Sequence, residues 1–447
     1  MKKRIFFFLA ILTVFVACSD NDSFTTSTSA RLTFSTDSVK MDTIFSGVGS
    51  RTYDFWVYNN GDDGVRLQSV RLRQGNQTGF RVNVDGQYLD NTLGSVVNDL
   101  EVRGGDSIRV FVELTAPENG GADPMLIEDQ LLFRLENGLE QGVVLQGHAW
   151  DALMIRQLVV NRDSLIESKK PIVVYGGITV DSTATLTIKN TTLYFHEGPG
   201  IEVYGRLLTD SVVMRGERLD RMFDYLPYDR VSGQWGTGGG VVIHASSTGN
   251  VMKNTEIRNA RDYGVVVDSA AFDTDHLRLD MERCIVHNCD GTGVYSENAN
   301  IRLYLCQLTN AEANCLAVDG GKAEVRRCTL AQFYPFVGGR GAALFFVNST
   351  PLVGLTCDSI LMTGYDEDVL VGMRTDTVTA FTYAFSNSLL RTPKVETEDS
   401  IYFKNIKWET PKDSVQGKQH FLLIDEDNLK YDFHLDSIST AQGLGCY

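Results

Sequence analysis

Between residues 31 and 151 apolar and polar positions alternate in short runs, at 53–58, 65–72, 80–84, 107–114, 130–135 and 143–146. Turn residues such as Asn59-Asn60-Gly61 separate them. A period of two sends successive side chains to opposite faces of a strand, so about seven half-buried strands at this spacing predict an all-β sandwich.

Beyond Leu153 the apolar runs become shorter and more regular, at 172–174, 178–180, 186–188, 193–195, 201–203 and 212–214. Such a rhythm marks a repeat architecture. Cys284, Cys306 and Cys328 fall 22 residues apart, and Thr255 stands 29 before the first. Two positions on are Ile257, Val286, Leu308 and Leu330; four on are Asn259, Asn288, Asn310 and Gln332; ten on are Val265, Val294 and Leu316. Three columns in phase predict a parallel β-helix. One strand per coil would bury a Thr/Cys column and an aliphatic column, then turn on a stacked amide. Coils at the roughly 4.8 Å spacing of paired strands let equivalent amides hydrogen-bond along the stack.

The amide column resembles the asparagine ladder of pectate-lyase-like β-helices, a likeness that implies a right-handed parallel β-helix. Tyr431-Asp432-Phe433-His434-Leu435 followed by Ser439-Thr440-Ala441-Gln442-Gly443 is similar to the closing motif of many bacterial β-helix proteins, with Thr440 where proline is usual. The stretch 53–61 resembles the opening of immunoglobulin-like modules. At the start, Lys2, Lys3 and Arg4 precede an apolar run, 5–17, that is too short for a permanent membrane span and reads as a signal peptide. Phe15-Val16-Ala17-Cys18 resembles a bacterial lipobox, with Phe15 where an aliphatic residue is usual. That resemblance implies acyl chains on Cys18, each buried methylene adding about 0.8 kcal/mol of hold on the outer membrane. The acidic run Ser19-Asp20-Asn21-Asp22 is similar to the signal that exports lipoproteins of Bacteroidota to the cell surface.

The expected organisation is a signal peptide at 1–17, a lipidated flexible tether at 18–30, an immunoglobulin-like β-sandwich at 31–151, and a right-handed parallel β-helix at 152–447 with an inserted loop at 215–236.

Charge narrows the partners. The formal net charge of −16 becomes −19 once the three leading cations are cut away, which argues against nucleic acid and against an unspecific hold on anionic lipid. An anionic ligand would need a local basic patch. Seven cysteines remain besides Cys18, and the five from Cys284 to Cys328 lack the close pairs of a zinc site. They read as small buried residues, although stacked neighbours approach disulfide separation.

Candidate chemistry concentrates in the segment that breaks the coil rhythm. Arg218, Asp220, Arg221, Asp224, Tyr225, Tyr228, Asp229, Arg230 and Trp235 combine cations, acids and rings. They suit a sugar, a protein partner, or an ion-paired cover over the coils. Carbohydrate-cutting β-helices draw several carboxylates from successive coils, with calcium and a basic residue, or paired carboxylates. No acidic column recurs at 22 residues. The aligned outward positions, Glu256, Ile285, Gln307 and Thr329, then Arg258, His287, Thr309 and Ala331, change character at each rung, and His287 reads as a solvated surface histidine. The run Tyr365-Asp366-Glu367-Asp368 matches no EF-hand loop. These readings converge on a surface-exposed, non-catalytic β-helix scaffold that binds a polysaccharide or an outer-membrane protein partner, without a cofactor. A polysaccharide lyase or glycoside hydrolase is the alternative, calcium being implied only for a lyase. A subunit of an outer-membrane complex is a further one.

Overall fold

The computed structural model describes residues 23–220 and 235–447. It is all-β apart from short 3-10 turns, and no described helix is long and apolar enough to cross a membrane. The chain divides into two compact units, joined between Asp151 and Ala152.

The first unit is a β-sandwich. Its strands are β1 (Thr33–Phe34), β2 (Ser38–Phe45), β3 (Tyr53–Tyr58), β4 (Val65–Leu72), β5 (Phe80–Val84), β6 (Gln87–Tyr88), β7 (Val96–Val102), β8 (Ser107–Leu114), β9 (Met125–Leu135) and β10 (Glu140–Trp150). One sheet runs β1-β3-β8-β5-β6 and the other β2-β10-β9-β4-β7, with β2 parallel to β10. Alternation sets the layers. Phe55, Val57, Val110 and Val112 point inward while Arg109 pairs with Asp54 outside at 2.9 Å. Residues 23–30, expected to belong to a loose tether, are docked. Thr25 donates to the Gly64 carbonyl at 2.9 Å, Asn137 Nδ2 donates to the Ser27 carbonyl at 2.8 Å, and Phe24 lies under the Arg66 guanidinium. Cys18 lies outside the described residues.

The second unit is a right-handed parallel β-helix. Its strands form one continuous parallel stack, each coil pairing with those above and below, from Leu153–Val160 to Phe403–Trp408. Each full coil has three faces. Face one holds strands such as Leu279–Glu282 and Asn300–Tyr304, face two Ile285–Cys289 and Gln307–Ala311, and face three Tyr263–Val267 and Thr292–Glu297. The interior is largely aliphatic, with Ile257, Val286, Leu308 and Leu330 in one column and rings such as Phe195, Trp235 and Phe385 elsewhere.

Faces one and two meet at a one-residue corner with positive φ: Asn190, Ser211, Asn254, Arg283, Leu305, Arg327, Ser359, Asn387 and Asn405. Thr255, Cys284, Cys306 and Cys328 each follow such a corner. Their side chains are buried, and the thiols are free. The Cys284 and Cys306 thiols donate to the Met252 carbonyl at 3.2 Å and the Met281 carbonyl at 3.5 Å, one coil back. Burial pushes both thiols well above the ordinary cysteine pKa.

The amide column does two jobs. Asn259, Asn288 and Asn310 have φ of 60°, 55° and 54°, a left-handed geometry that asparagine tolerates better than most residues. Asn288 Nδ2 donates to Asn259 Oδ1 at 3.1 Å. The next rung does not close. Asn310 Oδ1 takes the Phe333 amide at 3.1 Å, and Gln332 Nε2 donates to the carbonyls of Ala311, Ala313 and Gly341.

Arg327 is exposed yet sits at φ 48°, where a Cβ crowds its own carbonyl. Arg327→Asn is therefore expected to raise stability by up to about 1 kcal/mol, read as a higher urea midpoint at unchanged slope.

Candidate functional site

Face two carries a second layer. The strands Phe421–Asp425 and Lys430–Leu435 form an antiparallel hairpin. Phe421 and Phe433 pack on Ala331, Phe333, Leu361 and Leu389. The changing character of the outward positions has its reason here. Thr309, Thr329 and Ala331 are buried under this layer, whereas Glu256, Arg258, Ile285 and His287 line an open cleft beside it.

A buried hub anchors the layer. Glu409 accepts from Thr363 Oγ1 at 3.0 Å, from the Gly417 amide at 2.9 Å and from Arg391, and lies 2.9 Å from His420 Nε2. His420 Nδ1 lies 2.8 Å from Ser439 Oγ. Burial alone would raise the Glu409 pKa, but the bonds from His420, Gly417 and Arg391 outweigh it and hold the carboxyl below its ordinary 4.5. A carboxyl depressed on folding stabilises above its unfolded pKa and loses that contribution as pH falls through the folded one. Glu409→Gln is thus expected to flatten the loss of stability below pH 4.5 while costing about 3 kcal/mol at neutral pH, by acid and urea titration followed by circular dichroism.

The cleft has a volume of about 380 Å³. Its floor is Glu256, Arg258, Ile285, His287 and Gln307, with Arg215 one coil further along; its wall is Tyr431, Asp432, Phe433 and His434, and Tyr447 lies across one end. Tyr447 donates to Gln307 Oε1 at 2.6 Å, and its ring lies 4.0 Å from that of His434. His287 meets Tyr431 and Phe433 edge-on at 5.0 and 5.8 Å, with Nδ1 2.9 Å from Thr309 Oγ1. Burial, helped by Arg258, pushes its pKa down to about 3. This corrects the expectation of a solvated histidine, since the ring is neutral and half enclosed by aromatics. Two polar atoms in the lining are buried without a hydrogen-bond partner, Arg258 Nε and the Tyr431 hydroxyl. Arg258 is ion-paired with Glu256 at 3.4 Å through a terminal guanidinium nitrogen, which leaves Nε out of the pair.

Charge is arranged differently on face one. Glu167, Lys189, Asp210, Lys253 and Glu282 are register partners in successive coils, then Tyr304, Arg326 and Asp358. Sign alternates along this column, so each charge faces its opposite. A groove of about 340 Å³ here gathers Asp280, Glu282, Glu324, Arg302 and Arg326, but Asp280 is held by Nε and Nη2 of Arg302 and Glu282 by Arg283 and Lys253. Like charges opposite one another across strands destabilise a sheet. On face two, by contrast, Arg215 and Arg258 follow Met214 and Ile257, which are register partners, so two arginines occupy one column.

Of the segment expected to carry binding, Arg218, Asp220 and Trp235 are among the described residues. Trp235 is fully buried, stacked on Phe195 at 4.8 Å, with Nε1 donating to the Arg258 carbonyl at 3.2 Å. It is a core residue. Arg218 and Asp220 are buried and paired at 2.5 Å, which removes them from an open binding surface. Arg221, Asp224, Tyr225, Tyr228, Asp229 and Arg230 lie outside the described residues. Just before them, Glu217 is 3% exposed, bonded to His196 through one oxygen and unpartnered at the other. Burial raises its pKa, the His196 bond opposing. Among the described residues no group of three or more His, Cys, Asp or Glu could hold a metal ion.

A family model described as the right-handed β-helix region matches residues 158–330. No curated protein matches the chain. Among solved structures, a family 123 glycoside hydrolase from Clostridium perfringens aligns at 8% identity over 27% of this chain and 26% of its own, with a TM-score of 0.18. The PapD-like domain 7 of human CEP192 aligns at 12% identity over 27% of this chain and 87% of its own, TM-score 0.18. The major pilin subunit BcpA of Bacillus cereus aligns at 11% identity over 30% and 44%, TM-score 0.17. The chain thus spans about a quarter of the hydrolase, and likenesses of this quality carry no functional argument.

Proposed function

We propose that this protein is a lipid-anchored, surface-exposed outer-membrane protein, with an immunoglobulin-like module beside the anchor, whose β-helix is a non-catalytic scaffold holding a glycan in the face-two cleft. One observation carries the reading: a cleft with an aromatic wall whose lining leaves a guanidinium nitrogen and a phenol hydroxyl buried and unpartnered. Buried polar groups are normally satisfied, so two such atoms in one concavity favour a hydroxyl-rich occupant. The size supports a small-ligand site over a flat protein interface, since ligand pockets run from about 300 to 1,000 Å³. Lipidation of Cys18 and surface exposure rest on the sequence alone.

Tyr431→Ala is expected to weaken binding of envelope polysaccharides by roughly tenfold or more in isothermal calorimetry. Equal binding by wild type and variant would remove the cleft from the function. Stoichiometric recovery of an outer-membrane protein from gentle detergent, with no saccharide bound, would favour the partner-protein reading.

A second reading, a carbohydrate-active enzyme, is favoured by the pair His196–Glu217, a half-exposed imidazole backed by a buried carboxyl of raised pKa. On that reading new reducing or unsaturated ends appear on incubation with polysaccharide and vanish in Glu217→Gln.

A further inference from the structure

We infer that the face-two cleft takes an uncharged sugar, and that the Arg258–Glu256 ion pair holds two of its hydroxyls. This rests on the glycan reading above and adds the class of sugar and the groups that select it.

The class follows from charge balance. Among the described residues that line the cleft, Arg215 and Arg258 stand against Glu256 and Asp432. Each is already engaged. Arg258 is ion-paired with Glu256 at 3.4 Å, Asp432 lies 2.7 Å from His434 Nδ1, and the Arg215 guanidinium donates to the carbonyls of Gly216 and Arg218. His287 is desolvated and neutral, so the floor gains no charge from it. An oxyanion entering the cleft would meet Glu256 and Asp432 as well as Arg258, and an ammonium would meet two arginines as well as the acids. A ligand without charge avoids both repulsions.

The hydroxyls follow from what the ion pair leaves open. It occupies a terminal nitrogen of Arg258, so Nε remains a buried donor without an acceptor, and the Tyr431 hydroxyl is likewise buried and unpartnered. A carboxylate only accepts and a guanidinium only donates, whereas a hydroxyl does both. Neighbouring hydroxyls on one sugar ring can therefore serve Arg258 and Glu256 together without separating them. The pair is within reach of a ligand, since its side chains keep 37% and 31% of their surface exposed. In the wall, the Tyr431 ring lies within 12° of parallel to Phe433 and offers an electron-rich face to the C–H groups of a pyranose.

The test is calorimetry on the full chain at low salt, with glucose and galactose each compared with its own uronate (glucuronate, galacturonate) and its own amino sugar (glucosamine, galactosamine). For the ring that binds better, the neutral sugar is expected to bind at least tenfold tighter than either charged form. Glu256→Gln, which leaves the Arg258 charge unanswered, is expected to move the preference to the uronate. Arg258→Gln is expected to move it to the amino sugar. A charged form binding as well as the neutral sugar in the wild type would overturn the inference and leave the glycan reading standing, as would variants that weaken all three forms alike. No binding of any sugar would overturn both. Thermal melts of each variant separate lost binding from lost folding.

Discussion

The β-helix depends on one constraint: each coil's backbone amides and carbonyls find partners only in the coils above and below. No coil is complete alone, and any register error in one would be handed to the next. Everything else serves to keep that register. Interior columns are aliphatic because a single slipped residue would turn them outward. The one-residue corners hold every coil to the same bend, even with Leu305 and Arg327 in a conformation their side chains resist. Charge alternation on face one adds a cross-strand preference for the correct neighbour.

The same constraint makes the outer surface informative. Where a face serves stacking alone, neighbouring coils can settle into opposite charges or apolar contacts. Face two departs from that state. Its later coils are roofed by aromatics and tied down through Glu409, while its earlier coils carry two arginines, a desolvated histidine and unpartnered polar atoms. The hairpin joins these halves. The hydrophobic contacts that fix Phe433 also set Tyr431 and His434 as the wall of a cleft, so the stability of the layer and the shape of the cleft are built by the same few residues.

Much of the architecture was legible beforehand because it rests on local periodicity. The runs at 53–58, 65–72, 80–84 and 107–114 coincide with strands, and the 22-residue spacing of Cys284, Cys306 and Cys328 marks equivalent places in successive coils. The pattern did not reveal β2, whose polar Lys40 and Asp42 lie outward on a strand held by long-range pairing with β10. It also missed the other corner residues, since nothing in the letters of Leu305 or Arg327 announces a positive φ. The cleft was hidden for a further reason. Its floor and wall are separated by more than a hundred residues, and the outward positions looked incoherent because a remote hairpin covers some and spares others. Trp235 drew attention as a ring in an irregular segment, yet its surroundings in the core come from Phe195, forty residues earlier in the chain. The phrase Tyr431 to Leu435, read as a closing motif, was the one signal that could have led to the wall.

The corner column has a consequence for how such a protein changes over time. Successive corners are separated by as few as 18 residues, between Asn387 and Asn405, and as many as 43, between Ser211 and Asn254, while the strands around them stay in register. Length is therefore added sideways, out of the turns, and leaves the stack beneath untouched. A chain built on this plan can gain, lose or lengthen whole turns without renegotiating its core, so that the turns are free to diversify faster than the framework that carries them.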